Sequence, residues 1–445
     1  MALFDYINNF DNDKKLFKTP NKTETILSLK KERESLKSFL YKIRNKKIAL
    51  NFNDDLNIAK WLFFLDGIVS RITILPYESV LDKQSDFIKK SETDFLITES
   101  DDSGKNVINI NLLDEYSNES FDFDQNIDTE WVITTSGTTG TPKLVKHTLS
   151  SLTATVKNSD SKENTNIWGL LYGLQRFAGI QVYLQSVISG NLLVIPQHLS
   201  LPDEINFFNQ NNVTCLSATP TLWRKLLMLP EARLLPLRVI TLGGEIADSN
   251  ILKALSVQFP NAKIRHIYAS TEAGVGFSVT DGQAGFPISY FEKMSLKISN
   301  ENTLLIKSNA TYSGYIGSEK TEENDGFIDT GDLVEIRNNR CYFLGRSNGS
   351  INIGGNKVQP EQIERIILSF PGVLLVSVSA KKSSIMGSLV QASLVVDPSI
   401  EDTKSFISNL KNYCKANLED FMVPTFFKIV NDLKINATGK VLRNE

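Results

Sequence analysis

Cysteine and histidine are scarce in this chain. It has three of each, Cys215, Cys341 and Cys414, and His147, His198 and His266, scattered in different regions. No two cysteines have a paired spacing and no Cys/His group has zinc-site spacing, which argues against a disulfide framework and a structural zinc. Long apolar runs are also missing, since nothing approaches the roughly 18 residues of a membrane-spanning helix. The opening MALFDYINNFDNDKK puts charges where a secretory signal needs an apolar centre. A soluble, cytoplasmic protein with no membrane partner is expected. Net charge is only −3, with both signs interspersed, so neither a nucleic-acid groove nor an anionic surface is the expected partner. Small ligands remain. The chain does have length and apolar content: 445 residues at 41% hydrophobic exceed what one core usually holds, so two or more domains are expected.

Short apolar runs alternate with helix-length segments. KIALNF, ITILP, DFLITES and NVINI, then NLLVIP, VTCLSAT, RVITLGG and KIRHIYA, read as strands, with LPDEINFFNQNN and TPTLWRKLLMLP as helices between them. This is the pattern of layered, parallel α/β structure. After about residue 285 the texture changes to short strands and turns, SLKIS, TLLIKS and GFIDTGDLVEIRNNRCYFLG, the last a hairpin around Asn338 and Asn339. RSNGSINIGGNK has the composition of a hinge. It leads into a helix, QPEQIERIILS, two strands, GVLLVSVSA and LVQASLVVD, and a helix, EDTKSFISNLKNYCKAN. The expected fold class is therefore α/β. A large N-terminal domain of layered α/β subdomains with a small β-rich subdomain, residues 1–346, precedes a small, mobile α+β domain, residues 347–445.

The stretch TTSGTTGTPKLVKH, residues 134–147, follows the apolar run WVI. Its glycines allow several N–H groups to converge, its hydroxyls add donors and its lysine adds charge, which together suit a polyphosphate. Pro142 separates Gly140 from Lys143, and Leu144 follows, so it is not a Walker loop. A solvated loop has the same composition, and the loop alone decides nothing.

Four further stretches accompany it in order: YASTE at 268–272, DTGD at 329–332, the GR of LGRSNGSINIGGNKVQPEQIE at 345–346, and TGKVLR at 438–443. With TSGTTGTPK they resemble the adenylate-forming superfamily of acyl-CoA synthetases, adenylation domains and luciferases. KIALNFNDDLNIAKWLFFLDGIVSRITILP also looks like that family's first α/β unit, more weakly, so the likeness spans nearly the whole chain.

The resemblance implies ATP-dependent activation of a carboxylic acid to an acyl-adenylate with pyrophosphate release, then thioester formation with coenzyme A. It places Thr135, Ser136, Gly137, Thr138, Thr139, Gly140, Thr141 and Lys143 on the β- and γ-phosphates. Tyr268 would lie on the adenine face with Ala269 and Ser270 beside it, Thr271 on the α-phosphate, and Glu272 on Mg²⁺, for which a carboxylate is a fitting hard ligand. Asp332 would accept both ribose hydroxyls, as an acceptor-only group can. Gly243, Gly244 and Glu245 of TLGGE would line the nucleotide and acyl sites, Glu245 in either a binding or a structural role. By the same resemblance Lys440 reaches from the small domain to bridge the acid and the α-phosphate. Arg346 opens the hinge, and rotation about it would exchange Lys440 for the Gly354–Gly355 segment in the second step.

The chain departs from the family pattern at Leu144, Ala269, Gly349 and Asn352, and Asn348 stands at the pivot where Asp or Lys is common. LYGLQRFAGIQV, residues 171–182, takes the place of the family's acyl-pocket helix entry, with Arg176 and Phe177 as substrate candidates. Arg176 suits a second carboxylate on the acid, an internal acid or a phosphate of CoA. The Asp that binds an α-amino group in amino-acid adenylation domains is absent. His147 and His266 read as packing or hydrogen-bonding residues. The alternatives are transfer to a carrier-protein phosphopantetheine or an amine, and an inactive nucleotide-binding sensor or scaffold.

Overall fold

The computed structural model describes residues 2–77, 89–100, 106–113, 126–135, 143–156, 166–308, 310, 312–316, 326–353, 355–383, 387–436 and 439–443. Two large sheets dominate. In one, the parallel strands Lys47–Asn51, Arg71–Ile74, Phe95–Thr98, Val107–Asn109 and Glu130–Thr134 are extended by antiparallel Leu144–Thr148 and Gly314–Tyr315. In the other, parallel strands Ile167–Gly169, Leu192–Val194, Cys215–Ala218, Val239–Gly243 and Lys263–Ser270 carry antiparallel Gly274–Val279 at one edge. At the other edge sit Lys15–Lys18, parallel to Leu192–Val194, and antiparallel Thr23–Thr25.

The helices Asp55–Leu65 and Phe177–Ile188, with Phe63 and Tyr183, share one apolar core with residues of both sheets, including Phe17, Ile48, Trp131 and Leu193. Burial explains their sequence: Ile58 to Leu65 is almost continuously apolar and buried all round, as expected of a helix between two layers. Phe17 stacks on Tyr183 at 6.1 Å, and Phe63 meets both rings edge-on. The outer face of the second sheet is covered by Leu201–Gln210, Pro220–Leu227 and Ser249–Gln258, which enclose a separate apolar core.

The β-rich unit is a five-stranded sheet ordered Phe286–Pro287, Arg340–Arg346, Ile328–Arg337, Thr303–Ile306 and Leu296–Ile298. Its hairpin turns at Asn338 and Asn339, with φ of 47° and 61°; asparagine tolerates this left-handed region, as the sequence pattern required. Beyond Arg346, residues from Ile351 to Phe427 build a core of their own. It joins the Ile351–Ile353/Asn356–Val358 hairpin, helices Pro360–Leu368 and Thr403–Asn417, and strands Val373–Ser383, Gly387–Val396 and Phe426–Ile429.

Candidate active site

Strand ends, turns and the C-terminal segment converge on a cavity of about 1330 Å³. Thr135, Lys143, Arg176, Phe177, Gly243, Gly244 and Glu245 line it, as do Tyr268, Ala269, Ser270, Thr271, Glu272, Asp332, Arg346 and Lys440. Of the other residues singled out in the sequence, Ser136, Gly137, Thr138, Thr139, Gly140, Thr141 and Gly354 lie outside the described residues.

The base of the glycine-rich loop is held by its flanking strands. Thr134 pairs with Leu144 across the ladder, Thr135 N–H donates to the Lys143 carbonyl at 3.0 Å, and Lys143 N–H donates to Thr135 Oγ1 at 3.2 Å. Leu144, unusual for the family, is buried with Ala49, Leu75, Leu96 and Val132. A glycine there would leave that small core underfilled. Lys143 Nζ sits 4.9 Å from the Tyr315 ring centroid, and the Tyr315 hydroxyl donates to Glu272 Oε1 at 3.4 Å. One tyrosine thus ties the expected phosphate cation to the expected metal carboxylate.

YASTE leaves the end of Lys263–Ser270 through a bulge between Tyr268 and Ala269. Ser270 Oγ accepts from Ala273 N–H at 2.9 Å, and the Thr271 carbonyl lies 2.7 Å from His147 Nε2. A carbonyl only accepts, so Nε2 carries the hydrogen; burial holds the His147 pKa down to about 4, keeping the ring neutral. His147 is therefore a support for Thr271. His266 likewise places Nε2 3.0 Å from the Gln283 carbonyl.

Tyr268 stacks on Phe343 at 4.9 Å and Phe277 at 5.3 Å, and its hydroxyl donates to Asp332 Oδ2 at 2.6 Å. Asp332 Oδ1 accepts from Arg346 Nε at 3.0 Å. Burial and then Asp332 push the Tyr268 phenol well above its usual range, so it stays a donor.

Lys440 arrives from the opposite side. Gly439, at φ +71°, turns the chain, and its carbonyl accepts from Thr219 Oγ1 at 2.6 Å. Thr219 also caps the Pro220–Leu227 helix through Leu222 N–H at 3.1 Å, so one hydroxyl couples helix and C-terminal loop. Lys440 Cε lies 3.2 Å from the point a Cβ on Gly244 would occupy. Burial lowers the Lys440 pKa; Glu245 and Asp332 raise it, and Arg346 and Arg443 work with burial. Glu245 Oε2 also accepts Thr221 N–H at 2.9 Å, a structural contact at the cavity wall. Arg443, three residues on, pairs with Glu361 at 2.6 Å and Glu364 at 2.7 Å.

Arg176 is the N-cap residue of Phe177–Ile188, and Phe177 begins that helix with its ring 5.7 Å from His147. Gly355 turns the Ile351–Ile353/Asn356–Val358 hairpin at φ +94°, outside the cavity and with nothing within 4 Å of its missing Cβ. Thr219, Tyr315 and Arg443 escaped the sequence reading. Arg443 alone carried a signal, as the last residue of TGKVLR.

The family model described as AMP-binding enzyme matches residues 72–314, more than half of the chain. The chain belongs to the AMP-binding enzyme family. The model of that family's C-terminal domain matches residues 362–440, reaching Lys440. The chain is 28% identical over 341 residues to the 2-succinylbenzoate–CoA ligase of Bacillus subtilis, covering 70% of this chain and 67% of that protein. It is 26% identical over 334 residues to the enzyme of that name from Listeria innocua, covering 71% and 68%. Among solved structures it resembles o-succinylbenzoate CoA synthetase from Bacillus subtilis in complex with an acyl-adenylate intermediate, at a TM-score of 0.76 and 21% identity over 100% and 97% of the two chains. An anthranilate CoA ligase gives 0.80 and 15% over 99% and 95%. These structural likenesses establish the mixed α/β fold with its large N-terminal and small C-terminal parts.

Proposed function

We propose that the chain is an AMP-forming acid–CoA ligase that converts a carboxylic acid and ATP to an acyl-adenylate and pyrophosphate, then passes the acyl group to coenzyme A. The observation that carries this reading is Lys440 set against Gly244, in one cavity with Thr271, Glu272 and Asp332. In-line attack of a carboxylate on the α-phosphate needs cations and donors on the developing charge more than a covalent nucleophile. Lys440 supplies the cation between acid and α-phosphate. Thr271, with its backbone held by His147, supplies a donor, and Lys143 with the 135–143 loop holds the departing phosphates. Asp332 exchanges its bonds from Tyr268 and Arg346 for the ribose hydroxyls.

The residues fit Mg²⁺. No cluster of three or more His, Cys, Asp or Glu gathers for a metal among the described residues. A single carboxylate, Glu272, with phosphate oxygens and water completing the shell, is the usual provision for this ion. Bound there, it would neutralise phosphate charge.

The division of labour proposed is ATP and acid binding by residues 1–346 and delivery of Lys440, then of the Gly354–Gly355 segment, by residues 347–445. Among the described residues no helix is long and apolar enough to cross a membrane, and ATP and CoA as substrates favour work in the cytoplasm. The names of the curated relatives make 2-succinylbenzoate the first acid to try. Acid-dependent pyrophosphate release over an acid library, with products weighed by mass spectrometry in the presence of CoA or carrier proteins, tests the reading. A CoA thioester is expected. Acyl carrier protein or amide alone would move the acceptor, and no acid-dependent release from any acid would leave a nucleotide-binding scaffold.

A further inference from the structure

The cavity wall opposite the Phe177–Ile188 helix is polar where an acyl pocket would ordinarily be apolar. Ser217, Thr241 and Arg265 are direct neighbours across three parallel strands, and Trp168 lies beside Cys215, two residues back. Side chains alternate along a strand, so these four share one face. The intervening Leu216, Ile240 and Ile264 fall on the other face and pack in the outer core. All four polar residues line the cavity, as do Gln181 and Gln185 from the helix.

Two N–H groups on this wall lack acceptors. Arg265 Nε and Trp168 Nε1 are both buried, with no hydrogen-bond partner among the described residues. Of the carboxylates lining the cavity, Asp248 pairs with Arg224, Asp332 with Arg346, and Glu361 and Glu364 with Arg443, while Glu245, Glu272 and Asp329 accept hydrogen bonds from Thr221, Tyr315 and Thr303. None forms an ion pair with Arg265 among the described residues. Leaving a buried donor unsatisfied costs about 1–3 kcal/mol and more when the group is charged, so the arrangement calls for an anionic acceptor from outside the chain. Arg176, the candidate suggested by sequence, has interactions of its own within the chain.

We propose that Arg265 binds a second carboxylate of the acid, remote from the one activated, with Trp168 Nε1–H and the Ser217 and Thr241 hydroxyls as neutral donors. The substrate class is a dicarboxylic acid. Thr241 stands two residues before Gly243, about 7 Å along the strand, so the two carboxylates are separated by a short carbon chain or an aromatic ring. This assignment rests on the ligase reading above, because it takes this half of the cavity to be the acid's.

The test compares matched acids, 2-succinylbenzoate against benzoylpropionate, which lacks the ring carboxylate, and adipate against hexanoate, by pyrophosphate release in the wild type, Arg265→Gln and Trp168→Phe. The wild type is expected to favour a diacid by roughly 10- to 100-fold in kcat/KM, the usual range for a charge-assisted pair. Arg265→Gln should collapse that ratio, chiefly through the KM of the diacid, with a smaller fall for Trp168→Phe. Thermal protection by the same acids supplies a readout independent of turnover: the diacid should raise the wild-type melting temperature, and the shift should vanish in Arg265→Gln. A wild type that turns over monoacids preferentially, or a ratio insensitive to Arg265, overturns the subsite and leaves the ligase standing. No turnover of any acid, with an Arg265-dependent thermal shift by a diacid, overturns the ligase reading and keeps the subsite.

Discussion

Lys440 and Gly244 meet across the two parts of the chain: the lysine Cε lies 3.2 Å from where a glycine Cβ would stand, and Gly244 itself adopts φ +79°. A side chain there is strained by the backbone and obstructed by the lysine at once. Gly244→Ala is expected to lower the rate of acyl-adenylate formation at least about ten-fold, since small misplacements of a reacting group are costly. Thioester formation from supplied acyl-adenylate should suffer less. Single-turnover measurement of each half-reaction checks this.

The charge on Lys440 sets a pH limit. Burial lowers its pKa and Glu245 opposes that most strongly, so the cationic form is lost as pH rises through the lowered value. Glu245→Gln retains an acceptor for Thr221 N–H but removes the negative charge. The alkaline limb of the adenylation pH profile should therefore move to lower pH in this variant. A limb that stays in place would assign it to another group.

Arg443 answers two carboxylates on the Pro360–Leu368 helix. Glu364 also accepts Val378 N–H at 2.9 Å, and burial pushes its pKa up despite the arginine. Arg443→Gln should destabilise the C-terminal part by about 2 kcal/mol, less than a fully buried pair because the arginine is partly exposed and Glu364 can take up a proton. Denaturant unfolding monitors the loss, and adding Glu364→Gln should recover part of it.

His147 makes stability pH-dependent. Its folded pKa of about 4 lies below the ordinary 6.5, so the unfolded chain binds the extra proton and stability falls as pH drops from 6.5 towards 4. The full effect is roughly 3 kcal/mol. Asp55, raised to about 7 by burial, acts with opposite sign over much of this range, so the informative quantity is a difference. The stability gap between wild type and His147→Gln should change with pH only within that window, as measured by urea midpoints.

Much of this arrangement is visible in the sequence because its strands read as short apolar or alternating runs. RVITLGG and KIRHIYA became the adjacent parallel strands Val239–Gly243 and Lys263–Ser270. Long-range joins left no such trace. Lys15–Lys18 pairs with Leu192–Val194, and nothing in KLFK specifies a partner so distant. Phe426–Ile429 is too short and too exposed to announce itself as a strand. At the site, motif residues were legible and most of their supports were not: Tyr315 and Thr219 act through contacts that only folding creates, and His147, read as a packing or hydrogen-bonding residue, meets its partner Thr271 only in the fold. Arg265 lay within a strand-like run, where period alone cannot distinguish a cavity-facing arginine from a solvated one. Leu144 looked anomalous until its burial beside Val132 supplied the reason.

The role of Lys440 is best tested by Lys440→Ala followed through the two half-reactions separately, using the best acid from the library. Acyl-adenylate formation should fall by roughly 10²- to 10³-fold, the scale for losing one preorganised donor on a developing charge, while CoA thioester formation from supplied acyl-adenylate persists. Equal loss in both half-reactions, or adenylate formation at the wild-type rate, would contradict the placement of Lys440 between acid and α-phosphate.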